Sequence, residues 1–179
     1  MKKNDYVMTK LGFKMYTLIG KLGVYVGSHP VLYYILNLTW GLPLTLLGYI
    51  LTLIMLPGTL EIKKYNYIYG VQLMIGRFDE CSWGFEMGTC FFTSLGGYKY
   101  TDLKAHEFGH TCQNAILGPF QLFLVTIPSI IRFWWRRYLS KKGKTLKTNY
   151  DDIWFERSAS DIGQTIRDNR LCSGKFVEE

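Results

Sequence analysis

The sequence predicts a mainly helical α+β fold, and three observations carry that expectation. No Asp, Glu, Lys or Arg stands between Lys21 and Glu61, so that stretch reads as a membrane helix or helical hairpin. From Tyr65 to Ser94 aromatic and β-branched residues alternate with others, which reads as a small antiparallel sheet. The motif His106-Glu107-Phe108-Gly109-His110 then falls in a stretch with helix start and stop signals at either end.

Charge divides the 179 residues in the same way. The net charge of +7 is concentrated in two blocks. The first 21 residues hold five lysines against Asp5, and Arg132 to Lys147 holds seven basic residues and no acid. Such blocks suit nucleic acid or an anionic membrane surface. The apolar stretch beside them favours the membrane and excludes nucleic acid as the expected partner. The expected division is therefore a basic N-terminus with a membrane segment over 1–60, and a catalytic domain over 61–179. A half-buried apolar segment near 116–135 belongs to the second part.

Residues 1–21 suggest a helix at the membrane surface, and 22–60 the membrane segment. Its core, Val31 to Leu56, would reach roughly 39 Å as one helix, longer than the roughly 30 Å of a bilayer's hydrocarbon core. Trp40-Gly41-Leu42-Pro43 interrupts it, which points to a kink or a tight hairpin. Tyr67, Tyr69, Val71, Leu73 and Ile75, then Trp83, Phe85 and Met87, predict two or three short strands. A helix is expected from Thr101, as N-cap, to about Ile116, ended by Gly118-Pro119. Phe120–Ile131 is apolar but holds Pro128 and reads as a re-entrant element. Arg136–Thr148 reads as a basic loop. A last helix starts near Asp151 or Asp152, with Phe155, Ala159, Ile162 and Ile166 on its apolar face. The four cysteines read as small buried or free thiols; Cys81 and Cys90 could pair only if their region faced an oxidising compartment.

HEFGH is an HExxH motif. Residues four apart share a helix face, so both imidazoles reach one metal ion and Glu107 lies beside the bound water. Zn²⁺ suits neutral imidazole, and a carboxylate that is not itself a ligand takes the water's proton. A third protein ligand is required. His29, the remaining histidine, stands at the edge of the apolar stretch and reads as structural. Glu156 in the last helix is the expected ligand, because Ser160 and Gly163 on its face let the two helices approach. Its other reading is a first-turn glutamate favoured by the helix dipole. Asp152 and Asp161 are candidates to orient the imidazoles. Gln113 and Asn114 line the substrate cleft or simply form polar helix surface.

The segments HEFGHTCQNAILGPF, IPSIIRFWWRRY and YDDIWFERSASDIG resemble a group of small bacterial membrane proteins. These carry an HE-x-GH-x-x-Q motif, a Gly-Pro step, an Ile-Pro-Ser step and a late Trp-Phe-Glu motif. Leu38-Thr39-Trp40-Gly41-Leu42-Pro43 also fits, so the likeness covers about residues 36–163. It implies a zincin-like site on His106, Glu107, His110, Gln113 and Glu156. The chain departs from related sequences at Ser160, where they carry Asp, with Asp161 one residue later. Lys104 stands where zincins prefer an uncharged residue.

The expected function is a membrane-associated zinc metallohydrolase, a peptidase with Glu107 as general base, acting on a peptide or protein. One alternative is an intramembrane metalloprotease of the site-2 type, whose Asn/Leu-Asp-Gly motif is missing here. Another is a non-catalytic zinc-binding membrane protein. The positive-inside rule and the need for one shared zinc favour a hairpin turning near Trp40–Pro43 in a bacterial cytoplasmic membrane. Residues 61–179 and the zinc site then face the cytoplasm.

Overall fold

Thr9 opens the first helix: its hydroxyl accepts the Gly12 N–H at 3.1 Å, and α1 runs from Lys10 to Ser28. The computed structural model describes residues 8–65, 68–77, 83–95, 100–144 and 148–173. The boundary expected at residue 21 thus falls at His29, which is extended (φ −117°) and bonds through Nδ1 to the Tyr25 carbonyl at 2.7 Å. Pro30 opens α2 (Pro30–Leu38), and Pro43 lies in the first turn of α3 (Leu42–Met55). Proline at 43 cannot return a hydrogen bond to the carbonyl four residues earlier, so the helix breaks at Thr39–Gly41.

The two pieces are bent by 90°, and among the described residues no single helix is long and apolar enough to cross a membrane. The interruption expected at Trp40–Pro43 is thus a sharp break between α2, of 9 residues, and α3. Two bent pairs are long and apolar enough only when their helices are taken together: α2 with α3, and Leu103–Phe120 with Leu122–Lys141, bent by 115°.

Four strands follow: β1 (Thr59–Tyr65), β2 (Ile68–Arg77), β3 (Gly84–Met87) and β4 (Cys90–Leu95), in the order β1-β2-β4-β3. The sheet is mixed, not antiparallel as expected. β1/β2 and β3/β4 are antiparallel, but β2 and β4 run parallel, with Leu73 opposite Phe92. The reason is topological. After β2 the chain moves to the sheet edge, forms β3, and turns back so that β4 fills the gap between them. Gly88 makes that turn with φ +65°, and a Cβ there would lie 2.2 Å from the Thr45 Cα, so the hairpin tip presses on α3.

α4 (Tyr100–Leu117) is the central helix. Gly118 ends it at φ +57°, and the Trp40 indole from the α2–α3 break donates to the Ile116 carbonyl at 3.1 Å. A π-helical turn at Leu122–Thr126 leads into α5 (Ile127–Lys141). The stretch read as a basic loop from Arg136 is thus helical through Lys141. Arg132 and Arg136 are structural there: their guanidinium groups donate to the carbonyls of Asn149 at 2.7 Å and Thr148 at 2.9 Å, pinning the returning chain. The last helix, α6, spans Trp154–Cys172.

One core joins the N-terminal helices to the rest. Val26 and Tyr33 pack with Phe91, Phe108, Cys112, Ile162 and Ile166. Small residues set the helix spacings. A Cβ on Gly109 would fall 1.9 Å from the Ala159 carbonyl oxygen, and one on Gly163 1.7 Å from that of Ala105. Gly23 and Gly27 of α1 likewise face Ile162 and Ile166 of α6. Cys90 and Cys112 are buried free thiols, and Cys172 is an exposed one. Cys81 lies outside the described residues.

Candidate metal centre

The close α4–α6 contact brings the predicted ligands together. His106 Nε2 lies 3.2 Å from His110 Nε2 and 3.2 Å from Glu156 Oε2, and His110 Nε2 lies 3.4 Å from the same oxygen. Donor atoms about 2.0–2.1 Å from a tetrahedral zinc stand about 3.3–3.4 Å apart, so the triangle has the size of one face of such a site. Among the described residues these three form the group able to hold a metal ion.

Each ring is held from behind. His110 Nδ1 is 2.8 Å from Gln113 Oε1, and His106 Nδ1 is 2.8 Å from Ser160 Oγ. The Gln113 amide cannot be reversed, because its nitrogen donates to the Phe155 carbonyl, which only accepts, at 2.8 Å. Gln113 Oε1 therefore accepts, and His110 Nδ1 carries a proton. Nε2 then either carries a proton and donates to Glu156 or, when His110 is neutral, turns its lone pair toward the other two donor atoms. Three such atoms at this spacing repel unless positive charge sits among them.

Glu156 is wholly buried. Ser129 at the start of α5 donates to its Oε1 and is itself 3.2 Å from the Tyr150 hydroxyl, so Oε2 is left to aim at the histidines. Burial opposes the charge on Glu156, but the bonds from His106 and His110 outweigh it and hold its carboxyl well below the usual range. Burial also works against charge on His110, and the bond to Glu156 overcomes it and raises that pKa.

Glu107 lies beside the two histidines on α4, under β3 at the sheet edge. A Cβ on Gly84 would lie 2.6 Å from Glu107 Oε1, so β3 passes directly over this carboxyl. Burial pushes Glu107 up to about 8, against the pull of His110, with Glu156 and Glu86 adding to the rise. Glu86 of β3 is a second buried acid, pushed up to about 7 by burial. It accepts from Gln121 Nε2 and the Gly88 N–H, both at 2.9 Å.

The remaining sequence candidates sit elsewhere. Asp152 accepts the Asn149 N–H at 2.6 Å in the turn before α6. Asp161 accepts from the Tyr16 hydroxyl at 2.6 Å, facing α1. Neither orients an imidazole. Asn114 donates to Asn37 Oδ1 at 2.7 Å and to the Gly41 carbonyl at 3.2 Å, bracing the α2–α3 break rather than lining a cleft. Ser129 and Glu86 were not foreseen, and Ser160, read as a small packing residue, also holds His106. Ser160 follows Glu156 by one helical turn, and that spacing was the available signal; a lone acid in the apolar Trp83–Phe92 stretch was the signal for Glu86.

A scan against protein-family models returns no match. Searches of curated proteins and of solved structures return none either.

Proposed function

We propose that the protein is a membrane-associated zinc hydrolase acting on peptide bonds. The observation that carries the reading is the His106–His110–Glu156 triangle, whose donor atoms converge while each imidazole is fixed through its Nδ1. His106, His110 and Glu156 would hold the ion. Zinc, when bound, makes a water acidic near neutral pH and polarises the carbonyl under attack.

The chain's own groups supply the rest. Glu107 is not among the three ligands, so it is free to accept the proton of the attacking water and return it to the leaving amine. Burial raises its proton affinity, and a dication at the triangle would draw it back down so that the carboxylate form is available near neutral pH. β3 is an edge strand of the sheet and runs over Glu107. An extended peptide pairing with that edge would lie across the site, which is the support for a peptide substrate. α4 and α6 supply ligands to one point, which favours a cytoplasmic-side site between basic segments over a topology that separates the helices by a span.

The test is metal content beside turnover. His106→Ala, His110→Ala and Glu156→Ala should each lose zinc, measured by elemental analysis of purified protein. Glu107→Gln should keep zinc and lose at least about 10²-fold in peptide hydrolysis. Full zinc retention in both histidine variants would overturn the metal site. Zinc bound without turnover in the wild type would favour a binding protein.

A further inference from the structure

α5 turns its apolar face outward. Ile127, Ile130, Ile131, Trp134, Trp135 and Tyr138 recur three and four residues apart and are 40–63% exposed. No residue of α5 is buried. The face toward the protein is the polar one: Ser129 bonds Glu156, and Arg132 and Arg136 bond carbonyls of Thr148–Tyr150. In water this arrangement would expose a continuous hydrophobic stripe.

The residues are also ordered along the axis. Phe123, Leu124 and the isoleucines come first, the exposed Trp134, Trp135 and Tyr138 next, and the exposed Arg137, Lys141, Lys142 and Lys144 last. No acid stands between Arg132 and Lys147. Hydrocarbon, aromatic boundary and cationic end follow one another as they do from the middle of a bilayer to an anionic surface.

We propose that α5 is inserted in one anionic leaflet, with its isoleucines among the acyl chains. Trp134, Trp135 and Tyr138 lie at the headgroup boundary, and the basic end lies on the lipid phosphates. The length fits one leaflet. Phe123 to Trp135 covers about 18 Å at about 1.5 Å per residue, against about 15 Å for half the hydrocarbon core. The helix therefore reaches about mid-plane and turns back at its 115° bend with α4. This rests on the membrane part of the proposed function and is independent of the metal.

The experiment uses full-length protein reconstituted in vesicles of phosphatidylcholine and phosphatidylglycerol. Single nitroxide labels are placed at Phe123, Ile131, Trp135 and Lys144 in a background lacking the native cysteines. Collision rates with oxygen and a water-soluble nickel chelate give the depth of each. Depth should decrease steadily from Phe123 to Lys144, with every label on the same side of the mid-plane. A Phe123 label nearer the opposite surface would overturn the one-leaflet placement, and equal nickel access at Ile131 and Lys144 would remove the stripe from lipid. Spin–spin coupling between Ile131 labels would assign the stripe to a second copy of the chain. Should the cysteine-free background not fold, quenching of the native tryptophans by brominated lipids reads the same depth, with Trp134→Phe/Trp135→Phe removing the boundary signal. Spin-labelled phosphatidylglycerol should be retained over phosphatidylcholine by the wild type. Arg137→Gln/Lys141→Gln/Lys142→Gln should lose that preference, and an unchanged preference would overturn the anionic docking. All readouts are free of zinc and turnover, so their failure leaves the metal reading standing. A protein that stays in solution without detergent would instead sink the membrane reading as a whole.

Discussion

Replacing Gln113 by Leu separates packing from orientation at the proposed metal centre. Gln113 is fully buried, so a side chain of similar volume keeps the space filled. What is lost is the acceptor for His110 Nδ1 at 2.8 Å and the donor to Phe155 and Ser158. Ser158 still donates to the Trp154 carbonyl at 2.7 Å, so the main orphan is the His110 N–H. An unmet buried donor costs about 1–3 kcal/mol of stability, and loss of a group that orients a metal-binding histidine costs about 10–100-fold in metal affinity. Gln113→Glu is the control. It keeps an acceptor for His110 but sets a carboxylate against the Phe155 carbonyl. Zinc affinity should stay within a few-fold of wild type while the metal-free protein loses stability. Competition with a chromophoric chelator gives the first quantity and denaturant unfolding in excess chelator the second. If Gln113→Leu binds zinc as wild type does, or if both variants lose affinity equally, Gln113 does not act by orienting His110.

Two further predictions rest on the packing around the site. Gly163→Ala would place a methyl against the Ala105 backbone and force α6 off α4. It should cost at least about 1–3 kcal/mol and lower the thermal midpoint, whereas Gly20→Ala, with nothing within 4 Å, should be neutral or stabilising. Glu86, raised to about 7 by burial, binds its proton more tightly folded than unfolded. Its contribution is fully present below about 4.5 and is lost as pH rises through about 7. Glu107, raised to about 8, adds to the same decline, so in unfolding of the metal-free protein Glu86→Gln should make the slope shallower without abolishing it; an unaltered slope would assign the dependence to other groups.

The local signals in the sequence that rest on helical repeat were legible. HEFGH puts His106 and His110 on one face whatever surrounds them, and the Phe155–Ile166 stripe lies against α4 as its period implies. What was not legible depended on tertiary placement. Strand direction in the sheet depends on β4 entering between β2 and β3, and no feature of Cys90–Leu95 alone encodes that. Arg132 read as a basic membrane flank and Arg136 as loop charge because their partners are backbone carbonyls, which a residue pattern does not display. Pro43 signalled a break, but the 90° turn is set by Trp40 and Asn114 bracing against α4. Ser129 was hidden in a step read only for its proline.

The pairing of α1 with α6 has a consequence for synthesis. Gly23 and Gly27 are fitted to Ile162 and Ile166, and the last of these is made 139 residues after Gly27. At about 5–20 residues per second, α1 waits roughly 7–30 s for its partner. The histidines wait too, since Glu156 follows His110 by 46 positions. The nascent chain therefore carries an incomplete site for 46 of its 179 residues of elongation, and α6 both closes the helix packing and delivers the last ligand in one docking event.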